Sequence, residues 1–82
     1  MALVLLPALL AREAGGQKRF EVEAETLRDA LRSLPIANLI FDEAGERRAL
    51  VNVFVNGADE RDLDRRLEPD AEVRIVAAIA GG

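Results

Sequence analysis

The chain alternates between short apolar and polar segments that predict several strands and one helix. A continuous apolar run at residues 3–6, ended by a proline, predicts a strand that is buried on both faces and central in a sheet. Residues 8–14 follow as a connection, and Gly15-Gly16 predicts a turn, because glycine adopts positive φ without a Cβ clash. Residues 17–24 alternate between apolar and charged side chains, which predicts a half-buried strand forming a hairpin with the first.

The clearest local signal in the sequence is a helix start at Thr26. Its hydroxyl can cap the start of the helix, and the acidic Asp29 at the third helical position can reach back and favours the helix dipole. Apolar residues then recur at helical spacing, so one stripe of the helix must pack on a sheet, and Pro35 ends the helix. The stripe consists of Leu27, Ala30, Leu31 and Leu34.

The second half of the chain predicts two more strands separated by turns. Residues 36–48 show no regular pattern and end in a solvated loop, so we assign no element to them. Residues 50–55 alternate as a strand and lead into Asn56-Gly57, a hairpin turn signal. Residues 72–78 form the last predicted strand.

A highly charged segment at residues 59–66 precedes that last strand. Leu63 and Leu67 within and after it are spaced to hold a short turn against the core. Its charges alternate in sign, which is typical of a solvated face, and no spacing among its carboxylates singles out a catalytic pair.

The order of elements predicts an α+β fold, with one main helix packed across one face of a mixed four- or five-stranded sheet. The first strand is expected in the sheet interior beside the last, because the helical connection lets neighbouring strands run parallel. A chain of 82 residues has room for one domain. We place the domain at residues 1–78 and a flexible tail at residues 79–82.

Composition narrows the chemistry that the side chains can perform. Without Cys or His, the chain has no thiolate nucleophile, disulfide, Cys/His metal site or imidazole base, so we expect no metal site and no enzyme activity of its own. A net charge of −4 does not favour binding to nucleic acid or to an anionic membrane. We therefore expect the partner to be a protein. The apolar start lacks a preceding positive charge, so we expect no signal peptide and a cytoplasmic protein.

The whole chain resembles the MoaD/ThiS family of ubiquitin-like, β-grasp sulfur carriers. Within that family, Gly15-Gly16-Gln17-Lys18 and the strand at residues 51–56 resemble the branch that serves cysteine synthesis. The features that carry the family resemblance are Leu6-Pro7, Gly15-Gly16, the capped helix at Thr26, the strand at 51–56, the turn Pro69-Asp70 with the strand after it, and the terminal Ala80-Gly81-Gly82.

The resemblance implies that Gly82 is the reactive residue. Two residues without Cβ after the last strand make a slender extension that can enter a narrow active site. By resemblance, an E1-like partner enzyme uses ATP to adenylate the carboxylate of Gly82, and sulfur transfer then gives a thiocarboxylate. The sulfur goes to a biosynthetic enzyme resembling thiazole synthase, cysteine synthase or the molybdopterin-synthase large subunit. The chain itself is then a protein co-substrate and binds no cofactor.

A docking surface for these partners is expected on the outward side of the last two long strands. Phe54 is the preferred anchor, because aromatic residues often carry interface energy. Arg74 and Val76 share its orientation on the neighbouring strand, and Ala80 and Gly81 are expected to contact the partner beside Gly82. Ile79 belongs either to the edge of the core or to this interface, and its position beside the tail favours the interface.

Three other functions remain open for the sequence. A ubiquitin-like modifier would use Gly82 to acylate lysines on targets, although Lys18 as the sole lysine disfavours extended chains. A permanent small subunit of a molybdopterin-synthase-like complex would keep its tail inside a large subunit. A plain β-grasp interaction domain would not need Gly81 and Gly82, which would then be an incidental end.

Overall fold

Five strands form one mixed sheet within residues 1–77, the part of the chain that the computed structural model describes. Three short helices lie between them in this part of the chain. In chain order the elements are β1 (Ala2–Leu5), α1 (Ala8–Glu13), β2 (Arg19–Val22), α2 (Leu27–Arg32), α3 (Ala37–Ile40), β3 (Val51–Val55), β4 (Ala58–Asp59) and β5 (Glu72–Ala77).

The strands lie in the order β2-β1-β5-β3-β4. β1 runs parallel to β5, and the other three neighbouring pairs are antiparallel. The predicted α+β class, the mixed sheet and the placement of the first strand beside the last are therefore confirmed. The predicted last strand is observed as Glu72–Ala77, and the domain boundary after residue 78 lies outside the described residues.

Helix α2 begins where the sequence predicts it. The Thr26 hydroxyl accepts a hydrogen bond from the amide of Asp29 at 3.2 Å, which satisfies one of the amides left free at a helix start. The predicted apolar stripe is buried: Leu27, Ala30 and Leu31 are fully covered, and Leu34 is 4% exposed. The stripe holds the helix against the sheet.

The charged segment at residues 59–66 also supports the start of α2. The amide of Leu27 donates to the carbonyl of Arg65 at 2.9 Å, and the amide of Arg28 donates to the carbonyl of Leu63 at 2.8 Å. The Leu63 side chain is buried, as the sequence predicts. Most charged side chains of this segment are exposed, while its backbone satisfies helix amides that would otherwise be unpaired.

Both predicted glycine turns adopt the left-handed backbone that their residues suit. Gly15 and Gly16 have φ of 71° and 90°. Asn56 and Gly57 have φ of 51° and 86°, as in the two-residue turns that match the twist of a β-hairpin. This turn joins β3 to β4, where Val55 lies opposite Ala58.

The sequence missed two short helices. The segment after β1, expected as a connection, contains α1, and its Leu10 and Ala11 are buried at one end of the core. The segment left without an element contains α3. Pro7 and Ile36 stand at the N-cap positions of these helices and provide no side-chain cap, so the hydroxyl signal that predicts α2 is missing from both.

The prediction that the first strand is buried on both faces is wrong. Val4 is fully buried, whereas Leu3 and Leu5, on the other face of β1, are only half-buried. The buried residues of the sheet share the side that packs against helical leucines, and they join one core cluster. β1 lies in the sheet interior, but helices cover just one side of that sheet.

The described core is wholly apolar. It contains no buried polar or charged residue within residues 1–77, and its largest fully buried side chains include Leu27, Ile40 and Ile75. None of the helices in this region is long and apolar enough to span a membrane.

Candidate functional site

The predicted site residues fall into two groups. Ile79, Ala80, Gly81 and Gly82 lie outside the described residues. Phe54, Arg74 and Val76 lie on the sheet face opposite the helices, on β3 and β5. We call this surface the open face, lined by Leu3, Leu5, Asn52, Phe54, Arg74 and Val76.

The strand register brings the three described site residues together. Phe54 lies directly opposite Arg74 in the antiparallel β3–β5 pair, and Asn52 lies opposite Val76. Side chains at directly opposed positions project from Cβ atoms only about 5 Å apart. Val76 is two residues from Arg74 on the same strand, so the predicted residues form one patch.

A row of side chains crosses the open face over all five strands. In β1, Leu5 lies opposite both Arg19 of β2 and Arg74 of β5, and in β3, Phe54 lies opposite both Arg74 and Asp59 of β4. The row therefore reads, from one edge of the sheet to the other, Arg19, Leu5, Arg74, Phe54, Asp59.

Leu3 and Leu5 belong to the open face, and sequence reasoning missed them as site residues. Their apolar character had assigned them to the core, because an unbroken apolar run does not show which face is covered. The signal was in the helix content, since the one strong amphipathic helix of the sequence can cover only one face of the sheet.

The exposure of the site residues differs from one to the next. Val76 is 39% exposed, and the Arg74 side chain is 58% exposed. Phe54, expected as an exposed aromatic, is half-buried among its cross-strand neighbours. A half-buried ring is held in place while part of its surface stays accessible, which suits an interface anchor.

Charges on the open face are only weakly engaged within the chain. The Arg74 Nη2 lies 3.4 Å from the Glu72 Oε1, and both side chains are about half exposed. Exposed ion pairs contribute little to stability, so Arg74 remains available to an acidic group on a partner. Apolar side chains flanked by charges are typical of a protein interface with a polar rim.

Acidic side chains are common in the described part of the chain, but they do not form a metal site there. In residues 1–77, no group of three or more His, Cys, Asp or Glu is placed to hold a metal ion. Glu68, beside the β3–β4 turn, has its pKa lowered by a hydrogen bond from its own backbone amide and by Arg65. Its carboxylate oxygens accept hydrogen bonds from the side chains of Arg65 and Asn56.

Comparison with known proteins places this geometry in one class, the small ubiquitin-like β-grasp proteins. The ThiS family model matches residues 4–82, almost the whole chain. The chain therefore belongs to the ThiS family. No curated protein sequence matches it significantly.

Solved structures share the same fold at low sequence identity. Mycobacterium tuberculosis CysO, described as an antigen, has a TM-score of 0.83 at 25% identity, covering 96% of this chain and 100% of that chain. SAMP1 from Haloferax volcanii has a TM-score of 0.79 at 27% identity, covering 99% and 98%. The Amycolatopsis orientalis BexX/CysO complex contains a chain with a TM-score of 0.81 at 22% identity, covering 100% of both. The expected ubiquitin-like β-grasp fold and family are thus confirmed.

Proposed function

We propose that this protein is a sulfur carrier whose C-terminal carboxylate, on Gly82, is converted to a thiocarboxylate. The observation that carries the proposal is the ThiS family match, which extends through the terminal Gly81-Gly82. Composition supports it as well, because a chain without Cys or His has no thiol or imidazole of its own to perform sulfur chemistry. The chain acts as a co-substrate of partner enzymes and not as a catalyst.

The chemistry requires one substitution at phosphorus and then one at the acyl carbon. The Gly82 carboxylate oxygen attacks the α-phosphorus of ATP in the partner enzyme, and pyrophosphate leaves, which gives an acyl adenylate. A sulfur nucleophile then attacks the acyl carbon and AMP leaves. The carbon ends with one oxygen and one sulfur, and no side chain of this protein takes part.

The open face provides the docking surface for the E1-like activating enzyme in this proposal. Phe54, Arg74 and Val76 form one patch on a sheet side that no described helix covers. The same partner would also contact the residues next to Gly82, which are Ile79, Ala80 and Gly81. The structural neighbour in the BexX/CysO complex has a protein partner, which supports the idea of a docked carrier.

The second partner would be a sulfur-accepting biosynthetic enzyme. Its product could be cysteine, the thiamin thiazole, molybdopterin or a secondary metabolite. The reaction is proposed for the cytoplasm, where ATP is available to the activating enzyme.

Pyrophosphate exchange into ATP tests the first step. With the cognate E1-like enzyme, we expect the full chain to support exchange and the Gly82 deletion variant to support none above background. Extension by one alanine after Gly82 is the matched control for length, and it should also be inactive because the carboxylate is displaced. Equal exchange by all three chains would contradict the proposal.

A second function, protein modification, is favoured by one observation. SAMP1 from Methanosarcina acetivorans, a small archaeal modifier protein, is 29% identical, with a TM-score of 0.80. If this chain is a modifier, Gly82 would form isopeptide bonds with target lysines. A ladder of tagged conjugates in cell lysates that disappears on deletion of Gly82 would support this function, and its absence would favour the carrier.

A further inference from the structure

An apolar groove lies at the end of β5, between the short helices and the start of β3. Its cavity volume is about 420 Å³. It is lined by Arg48 and by the apolar residues Leu10, Leu39, Leu50, Val51 and Ala77. Two of these residues belong to the helices that the sequence did not predict, so the groove exists only because α1 and α3 form.

No residue of the described chain fills this groove. Leu50 is 54% exposed, which is high for a leucine beside a core, and Leu39 and Ala77 are half-buried. An apolar occupant is favoured here, because its binding would remove the apolar surface of the groove from water.

The strand register indicates which part of the chain can reach the groove. In the β3–β5 pair, Val53 lies opposite Ile75 and Val51 lies opposite Ala77. Two further residues in the same register would bring Ile79 opposite Ala49, which also lines the groove. Ile75 is buried and Ala77 packs on the core, and Ile79 follows Ala77 by the same two-residue spacing in the sequence.

The sequence after Ala77 contains one suitable side chain. It runs Ala78-Ile79-Ala80-Gly81-Gly82, so Ile79 is the only residue there with a side chain larger than a methyl group. Two residues of extended chain span about 7 Å, and the chain starts from Ala77, which itself lines the groove. We propose that the groove is the docking site for the Ile79 side chain of the same molecule.

Docking of Ile79 would set the reach of the reactive end. With Ile79 in the groove, three residues extend beyond it, which is about 10 Å of chain. With Ile79 released, five residues extend beyond Ala77, which is about 17 Å. Burial of an isoleucine side chain contributes a factor of about ten or more to the docked state, and the ordering of residues 78 and 79 opposes it. This consequence for Gly82 rests on the proposed function, whereas the docking itself does not.

Methyl NMR on the isolated chain tests the docking. The chain has few isoleucines, so the Ile79 δ1 methyl can be assigned with selective labelling. We expect NOEs from this methyl to methyls of Leu39 and Leu50, and a heteronuclear NOE for the residue 79 amide at least twice that of Gly81.

Two matched substitutions separate the groove from general effects. Leu50→Gln should remove these methyl NOEs, because it makes the groove wall polar. It should also lower the heteronuclear NOE of the residue 79 amide to that of Gly81. Leu9→Gln changes a leucine of similar exposure, 44%, outside the groove, and should leave both signals unchanged. Ile79→Val should retain the ordering and Ile79→Ser should lose it.

Two results would overturn the proposal. One is an Ile79 methyl with a random-coil shift and no NOE to the groove. The other is a set of NOEs that arise only between molecules in a mixture of labelled and unlabelled chains, which would make the occupant a second copy. Because no partner enzyme is present, neither result bears on whether Gly82 forms a thiocarboxylate.

Discussion

Individual side chains on the open face are placed by cross-strand pairing and not by neighbours in sequence. Phe54 and Arg74 are far apart along the chain, yet they are opposed in the register. Leu5 lies on the other side of Arg74. The charged side chain is thus flanked by two apolar ones, which combines an anchor and an orienting charge in one row.

Phe54→Ala tests the role of that row in docking. We expect its dissociation constant for the E1-like enzyme to rise about ten-fold or more, because an interface aromatic contributes well above the average contact. Binding can be measured by isothermal titration calorimetry, with circular dichroism to show that the variant is folded.

The control for that experiment is Leu9→Ala, an exposed apolar residue on α1. It should bind as the unmodified chain does. If Phe54→Ala binds equally well while remaining folded, the open face is not the docking surface.

The pKa of the Glu68 carboxyl should lie below the ordinary value for a glutamate. A hydrogen bond from its own backbone amide, and then Arg65, whose Nη2 lies 3.2 Å from the Glu68 Oε1, lower its pKa. Because the folded pKa lies below the unfolded one, the associated stability is present at neutral pH and is lost as the pH falls through the folded pKa.

Carboxyl NMR titration checks this pKa. Arg65→Gln should raise the Glu68 midpoint, whereas Arg61→Gln, which alters an arginine paired with Asp59, should not. An unchanged midpoint in Arg65→Gln would show that the arginine has no influence on this carboxyl.

Among the elements, helix α2 and the β3–β4 hairpin were predictable because their signals are local. A hydroxyl at the cap, a repeat of apolar residues and an Asn56-Gly57 pair each act within a few residues. The short helices and the half-exposed side of β1 depend on what packs against them, which a single sequence does not display. Strand parity predicted one patch that contains Phe54, Arg74 and Val76. It missed Leu3 and Leu5, because the elements packed around β1 decide which of its faces is covered.

Removal of the α2 cap should destabilise the protein. Thr26→Ala leaves the Asp29 amide without its hydroxyl acceptor, so we expect the free energy of unfolding to fall by about 1 kcal/mol. Thr26→Ser keeps the acceptor and should lose much less. Urea denaturation followed by circular dichroism measures both, and equal losses would mean that the hydroxyl does not cap the helix.

Substitution of Gly57 in the hairpin turn should lower the free energy of unfolding, because its backbone is left-handed. Gly57 has φ of 86° and open space around the position of a Cβ, so Gly57→Ala introduces backbone strain without a clash. We expect a loss of about 1 kcal/mol in the free energy of unfolding, and a smaller loss for Gly57→Asn, which tolerates this region better. A neutral Gly57→Ala would contradict the turn geometry.

At the scale of the whole molecule, the proposed function gives separate tasks to the folded body and to Gly82. The core within the described residues extends from Ala2 to Ile75. The lack of Cys and His fits this division, because the reactive sulfur would be on the main-chain terminus and no thiol of the chain could form a disulfide with it.

Deletion of Gly82 should therefore leave stability intact. We expect the Tm to change by less than about 2 °C, because a glycine after the last strand contributes no side-chain burial. Differential scanning calorimetry measures this, with Leu31→Ala in the core as the positive control for a large loss. If deletion of Gly82 lowers the Tm as far as that control does, the last residue contributes to the stability of the fold and this prediction is wrong.

Intact-mass spectrometry tests the central claim most directly. The purified chain is incubated with its E1-like enzyme, ATP and a sulfur source, and fragmentation locates any change. The sulfur-carrier account predicts a mass gain equal to the replacement of one oxygen by sulfur, located on Gly82 and dependent on ATP. An unchanged mass with an active E1-like enzyme, or a gain on any other residue, would contradict it.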